Sequence, residues 1–330
     1  MKKDIWVYIE HTEGSISSVS MELLKEALRL RDAMQEPGQV AAVLIGFGVE
    51  DLIQEVQKYG AQRVYVAADD KLANYNPDYY GRVLEKAILE YDPHIFLMGA
   101  TILGTQLAPL IAAKVKTGVA AHCIELKLDE QDNLVAVVPA FGGKVLGDIL
   151  CPMHRPQMAT IKPGILGKPS LSPENGEIIK INTEFLKEIT SKLTLLNICR
   201  EETKGVPLEE AEIVICGGWG IGEQERWELL EKIADRLGGA VACTRPPIDE
   251  GWAAGEQMMV GTSGKSIRPK IYIGFGISGA THHICGMKDA GLIISINKDA
   301  GAEIFKVSDY GIIGDVKDII PLLAEAIGVK

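Results

Sequence analysis

Apolar residues fall along this chain in two rhythms that alternate. Nearly unbroken apolar runs at residues 4–9, Val40–Phe47, Arg63–Ala68 and Ile95–Gly99 read as strands buried on both faces. Between them the apolar positions space out at three and four. Leu23, Leu24, Ala27, Leu28 and Leu30 form one helical stripe, with Pro37-Gly38 as the expected stop. Leu52, Ile53 and Val56 mark a second helix. Tyr79–Tyr91 is a third, and Leu103–Val115, rich in small residues, a fourth. Strand and helix in strict alternation predict a parallel sheet covered by helices.

From Cys123 to Thr160 the rhythm changes. Ile124, Leu126 and Leu128, then Val135, Val137 and Val138, predict antiparallel strands added to the same sheet. A stretch rich in Pro, Gly, Asn and charge runs from Pro163 to Pro207, with one strand near Ile178–Ile181. A second alternation follows: strands at Ala211–Cys216, Ala240–Thr244, 271–273 and Leu292–Asn297, with helices over Gln224–Leu237 and Val316–Ala326. The expected fold is α/β throughout. An N-terminal Rossmann-like parallel-sheet domain spans 1–190, a linker 191–206, and a doubly wound C-terminal domain 207–330.

Composition narrows the function classes. At 330 residues, 47% hydrophobic and 24% charged, the chain has ample core for two domains. A net charge of −11 argues against nucleic acid or an anionic membrane as partner. No apolar run approaches a membrane span, and the N-terminus leads directly into a strand, so a cytoplasmic protein without a leader is expected. The six cysteines include no C-x-x-C pair, which speaks against zinc and iron–sulfur sites.

Candidate chemistry concentrates in the second half. The strand at 271–273 runs into Gly274-x-Gly276-x-x-Gly279 and then a possible helix start. Glycines at that spacing let a backbone turn tightly and approach a pyrophosphate. Ser278, Thr281, His282 and His283 follow, polar residues that plain packing does not require. Cys216-Gly217-Gly218-Trp219-Gly220 ends another strand, and Thr244-Arg245-Pro246-Pro247 a third. Arg245 reads either as a ligand-binding residue at a strand tip or as a solvated surface charge. Val260-Gly261-Thr262-Ser263-Gly264-Lys265-Ser266 imitates a P-loop, but Met259 stands where Walker A needs its first glycine. Its N–H groups and hydroxyls still suit a phosphate or a flavin nitrogen. Asn297-Lys298-Asp299 ends the next strand, and Asp315 reads as a helix N-cap. In the first half, Gly46-Phe47-Gly48 reads either as a plain strand-to-helix turn or as a phosphate loop, with no acidic residue at a spacing that reads a ribose. Together the loops of the second half favour one extended dinucleotide.

These residues carry a resemblance. Tyr272 to Gly286, with Asn297-Lys298-Asp299 and Asp309-Tyr310-Gly311, resembles the signature of the electron transfer flavoprotein alpha subunit. Thr244-Arg245-Pro246, Val260 to Lys265, Pro139-Ala140-Phe141-Gly142-Gly143 and Arg155-Pro156-Gln157-Met158-Ala159-Thr160 resemble further blocks of that family in the same order. The resemblance implies FAD in the C-terminal domain, a beta subunit as partner in a heterodimer, and an N-terminal domain that docks without a nucleotide of its own. It places Arg245 over the isoalloxazine, Ser263 near N5, and Ser278, Gly279, Ala280 and Thr281 along the phosphate and ribityl. His283 falls at the N1/C2 edge, and Asn297 and Asp315 at the adenosine end. Trp219 replaces an arginine frequent in the family, His282 a glutamine, Thr262 a glutamine and Thr244 a serine.

The implied role is electron relay to or from an acyl-CoA dehydrogenase or similar flavoenzyme, with electron bifurcation open. A positively charged Arg245 and an imidazolium at His283 would favour reduced flavin. The competing readings are an NAD(P)-dependent dehydrogenase built on the same glycines and a non-enzymatic nucleotide sensor.

Overall fold

The computed structural model describes residues 3–12, 14–140, 145–167, 171–198 and 206–329. Phe141, Gly142, Gly143, Cys199 and most of the expected linker's second half lie outside them. The chain divides into two compact units, Met1–Ile198 and Cys199–Lys330.

The first unit is built on seven parallel strands. In chain order its elements are β1 (Lys3–Ile9), a small hairpin β2 (His11–Thr12) and β3 (Ser15–Ile16), α1 (Ser18–Ala33), β4 (Pro37–Gly46), α2 (Glu50–Lys58), β5 (Arg63–Ala68), α3 (Pro77–Tyr91), β6 (Ile95–Gly99), α4 (Ile102–Val115), β7 (Val119–Cys123), β8 (Glu125–Leu128), β9 (Leu134–Ala140), β10 (Val145–Leu150), β11 (Gln157–Ile161) and β12 (Glu177–Lys180). The sheet order is β12-β5-β4-β1-β6-β11-β7. Period-two alternation divides each strand between two cores. Ile5, Val7 and Ile9 pack under α1, while Trp6 and Tyr8 face the opposite side with α3 and α4.

Two sequence expectations change here. Pro37-Gly38 does not stop α1, which ends at Ala33; Pro37 instead opens β4. A proline suits a strand's first residue because its missing N–H is not needed there. The antiparallel strands do not join the parallel sheet either. β8, β9 and β10 form their own sheet, in the order β10-β9-β8. The cause lies at His122, whose φ of +57° coincides with a register shift between β7 and β11. Beyond it the chain leaves the parallel ladder, and the Ile124 N–H donates to the Val137 carbonyl at 2.9 Å.

The first unit's topological switch lies between β1 and β6. At that point the Thr101 hydroxyl donates to the Glu10 carboxylate at 2.5 Å, and burial raises the Glu10 pKa. A Cβ on Gly99 would meet Val19 of α1 at 2.6 Å, so the helix sits tightly on the strand end.

The second unit has five parallel strands: β13 (Ile213–Gly217), α5 (Gln224–Leu237), β14 (Ala240–Cys243), α6 (Arg245–Asp249), β15 (Ile271–Phe275), α7 (Thr281–Ile284), β16 (Ile293–Asn297), β17 (Tyr310–Ile313) and α8 (Val316–Ala326). Their order is β14-β13-β15-β16-β17, so the switch falls between β13 and β15. α5 and α8 cover one face, with Trp227, Leu230 and Ile320 fully buried beneath them. The other face is covered by shorter pieces, among them the loop to Ile267, α7 and the 3₁₀ turn Glu303–Val307. The helix expected after the glycine motif is a single turn. It ends at Ile284, and two residues on, a Cβ at Gly286 would meet the Gly261 backbone nitrogen at 2.5 Å. β17 was not foreseen; its four residues are all exposed at the sheet edge.

No helix among the described residues is long and apolar enough to cross a membrane.

Candidate functional site

Open α/β sheets bind ligands beyond the carboxyl ends of their strands, at the point where strand order reverses. In the second unit two glycine loops meet at that point. The loop after β13 and the loop after β15 are joined backbone to backbone: Gly218 N–H donates to the Phe275 carbonyl at 2.8 Å, and Gly220 N–H to the Gly276 carbonyl at 3.0 Å. A Cβ on Gly220 would lie 2.7 Å from the Gly276 Cα, and one on Gly276 equally close to the Gly220 Cα. Gly276 also has φ of +63°, a conformation only glycine adopts without cost. The third glycine does different work. A Cβ at Gly279 would lie 2.1 Å from the Ile304 nitrogen, so this residue lets the loop pack against the 303–304 segment.

These loops, with those after β14 and before β15, enclose a cavity of about 610 Å³. Of the residues singled out from the sequence, it is lined by Trp219, Thr244, Arg245, Val260, Gly261, Thr262, Ser263, Ser278, Ala280, His282, His283 and Asn297. Gly279, Thr281 and Asp315 do not line it. Asp315 caps α8, its carboxylate accepting from the Lys317 N–H at 3.0 Å. Met259 and Ile277 line the cavity and were missed, because an apolar wall residue looks like any core residue in sequence. Their one signal was position, each beside a glycine-rich turn.

The 260 loop is held by main-chain contacts. Thr262 N–H donates to the His282 carbonyl at 2.8 Å, and a Cβ on Gly261 would lie 2.7 Å from that same oxygen. Thr262 and His282 also meet through their side chains, Oγ1 to Nδ1, at 3.0 Å. Lys265 points away and ion-pairs with Glu209 at 2.8 Å, which agrees with the failed P-loop match. Asn297 donates through Nδ2 to the Ile277 carbonyl at 2.8 Å, and its Oδ1 accepts from the Asp299 N–H at 3.0 Å. Its amide therefore braces the loop that forms the cavity wall.

Arg245 stands at the mouth, exposed, its Nε 2.8 Å from Asp249 and its Nη1 2.9 Å from Glu256. These carboxylates, Asp249 first, raise its already high pKa, so the guanidinium is permanently charged but shared. Trp219 lies nearby with 68% of its surface exposed. A large bare indole beside a cavity offers an aromatic face for a planar ring.

His283 departs from expectation. It is buried at the cavity wall, with Nδ1 2.9 Å from the Val260 carbonyl and Nε2 2.8 Å from the Tyr272 hydroxyl. Burial pulls its pKa down to about 4, with the Val260 carbonyl opposing. The ring is therefore neutral at pH 7, in place of the imidazolium expected from sequence. Sequence shows a histidine near a ligand but not the desolvation that removes its charge.

None of the five described cysteines forms a disulfide. Among the described residues no group of three or more His, Cys, Asp or Glu is placed to hold a metal ion.

Comparison with known proteins matches this architecture segment by segment. Residues 5–185 match the family model described as the electron transfer flavoprotein domain, and 207–288 the one described as the electron transfer flavoprotein FAD-binding domain. The chain is 40% identical over 326 residues to the electron transfer flavoprotein subunit alpha of Thermoanaerobacterium thermosaccharolyticum, covering 98% of each chain. It is 41% identical over 331 residues to that of Megasphaera elsdenii, covering 98% of this chain and 96% of the relative. It is 34% identical over 322 residues to the lactate dehydrogenase (NAD(+),ferredoxin) subunit LctC of Acetobacterium woodii, covering 97% of this chain and 76% of the relative. The cavity lies within a flavin-binding unit, and the chain belongs to the electron transfer flavoprotein alpha-subunit family.

Proposed function

We propose that this chain binds one FAD in the switch-point cavity and, paired with a beta subunit, relays electrons between a donor and a flavoenzyme dehydrogenase. The observation that carries the reading is the clasp of Gly218 and Gly220 against Phe275 and Gly276, which leaves main chain rather than side chain facing the cavity. A Cβ-free wall admits a pyrophosphate to hydrogen-bonding distance of backbone N–H groups. Bound FAD supplies the one- and two-electron chemistry.

The chain's own residues bind and tune. Trp219 stacks on a cofactor ring, Ser278 and Ala280 sit along the diphosphate, and Asn297 keeps the Ile277 turn in shape. Gly279 and Thr281 support the turn behind Ser278 and Ala280, and Asp315 supports the adenosine side by fixing the start of α8. Arg245 and Ser263 address the isoalloxazine. The positive charge for reduced flavin comes from Arg245, because His283 is neutral.

The N-terminal unit, 1–190 in this reading, serves as docking surface, with 191–206 as linker to the FAD domain, 207–330. At its own switch point the half-buried Glu10 carboxylate, held by the Thr101 hydroxyl, would repel a phosphate. Its three-stranded sheet offers Val145, Leu146, Ile149 and Leu150 exposed on the edge strand, an apolar surface suited to the beta subunit. Relatives named for acryloyl-CoA reductase and for a lactate dehydrogenase using NAD(+) and ferredoxin favour a dehydrogenase as exchange partner and keep bifurcation open. A cytoplasmic setting fits cysteines that form no disulfide.

The test is to co-purify the chain with its beta subunit, release the flavin by denaturation and count it. FAD in a yellow heterodimer is the expected result. A colourless complex that takes up no added FAD would overturn the reading, and NAD(P)H bound in its place would favour the dehydrogenase alternative. One FAD per heterodimer without NADH oxidation would exclude bifurcation.

A further inference from the structure

The buried histidine of the cavity wall is held from behind by a tyrosine. The Val260 carbonyl can only accept, so His283 Nδ1, 2.9 Å away, carries the proton and donates to it. That leaves Nε2 as the lone-pair nitrogen, and the Tyr272 hydroxyl lies 2.8 Å from it. Tyr272 is fully buried on β15, three residues before the chain turns into the cavity loop at Phe275 and Gly276. Cys216 Sγ of β13 lies 4.0 Å from the same Nε2.

We propose that Tyr272 is a positioning residue: with the Val260 carbonyl it holds His283 as the neutral Nδ1–H imidazole, so that this wall of the cavity carries no titrating charge. The groups packed against the ring agree. Tyr272 and Cys216 are both kept neutral by burial, and His282, the preceding residue on α7, turns to Thr262. The burial that depresses His283 acts in the same direction as the Tyr272 donor. A hydroxyl donating to Nε2 stabilises the neutral ring and competes with a proton there. The consequence for flavin rests on the function proposed above; the protonation state of His283 does not.

The test is nitrogen NMR on the full-length protein labelled with ¹⁵N-histidine, with and without added FAD. The His283 signal is assigned by its loss in His283→Asn. Native protein should show a protonated Nδ1 and a bare Nε2 from pH 8 down to about 5.5, below the ordinary histidine midpoint of about 6.5. A His283 that titrates near that midpoint, or carries a proton on Nε2 at pH 7, would overturn the proposal. Tyr272→Phe should raise the His283 ionisation constant's pKa by about one unit, a tenfold change. It should also give FAD binding a pH dependence in the range about 5–7 that native protein lacks. An unchanged His283 titration in Tyr272→Phe would remove Tyr272 from the role. If that variant does not fold, fluorotyrosine labelling gives the second reading. A stronger phenol donor shifts the Nε2 resonance if Tyr272 donates to it and leaves it in place if not. A protein that binds no FAD yet shows the neutral tautomer would fail the functional reading and keep this one.

Discussion

Gly220 and Gly276 pack directly against each other at the cavity wall, and two alanine substitutions separate the reasons each must be glycine. At Gly220 the backbone is ordinary, and only space is at issue. An added Cβ meets the Gly276 Cα at 2.7 Å and its carbonyl oxygen at 2.9 Å, both main-chain atoms that cannot rotate away. Forcing a methyl into such a contact costs about 1–3 kcal/mol. At Gly276 the same contact recurs, with the Gly220 Cα at 2.7 Å and its carbonyl carbon at 2.8 Å, and φ of +63° adds the left-handed penalty. That penalty is about 1–2 kcal/mol for a residue with a Cβ, so Gly276→Ala should cost about 2–5 kcal/mol in all. Both variants pry the loops apart by several tenths of an ångström and break the Gly220 N–H to Gly276 carbonyl bond. FAD affinity should therefore fall at least tenfold, about 1.4 kcal/mol, in Gly220→Ala, and further in Gly276→Ala. Urea unfolding of the apoprotein and fluorescence titration with FAD give the two numbers separately. If Gly220→Ala unfolds within about 0.5 kcal/mol of native protein and binds FAD unchanged, the close approach of the loops is not what shapes the site.

Four further outcomes follow from the geometry. Arg245→Ala should lower the potential of bound flavin, while Asp249→Asn with Glu256→Gln, which leaves the guanidinium unshared, should raise it; spectroelectrochemistry reads both, and equal potentials in all three would remove Arg245 from the tuning. Trp219→Ala should weaken FAD binding by about 1 kcal/mol, the usual worth of an aromatic contact, and an unchanged affinity would show that the indole does not stack. Ile149→Asp with Val145→Asp should abolish co-purification with the beta subunit while the isolated chain keeps its FAD affinity; an intact heterodimer would move the docking surface elsewhere. His283 binds fewer protons folded, with its pKa at about 4, than unfolded, with its ordinary value of about 6.5. Stability should therefore be fully present above that ordinary value and fall by up to about 3 kcal/mol as pH drops through the window to 4. Urea unfolding against pH should lose this slope in His283→Gln, and a slope that survives would assign it to other groups.

The alternation of strands and helices was legible because parallel strands buried on both faces are apolar at every position. Arg63–Ala68, Ile95–Gly99, Gln224–Leu237 and Val316–Ala326 fall where the pattern puts them. What the pattern cannot carry is which strand a given run pairs with. Leu126 and Val137 alternate as antiparallel strands should, yet the backbone turn at His122 decides that they leave the main sheet. In sequence, Asp309-Tyr310-Gly311 shows only a motif, and the strand Tyr310–Ile313 does not announce itself, since an exposed edge has no core face to reveal it. At the site, residues with polar or glycine chemistry announced themselves. Met259 and Ile277 did not, and the charge state of His283 depended on burial beside Tyr272, a residue eleven positions away.

Because the two loops grip each other through Gly218, Gly220, Phe275 and Gly276 main-chain atoms, the clasp itself is independent of the side chains around it. Trp219, Thr244, Thr262 and His282 all line the cavity, and none supplies a side chain to that grip. Such positions can drift and alter what a bound ring feels without opening the clasp itself. The scaffold and the tuning can then diverge at separate rates, and one clasp can serve carriers poised at different potentials.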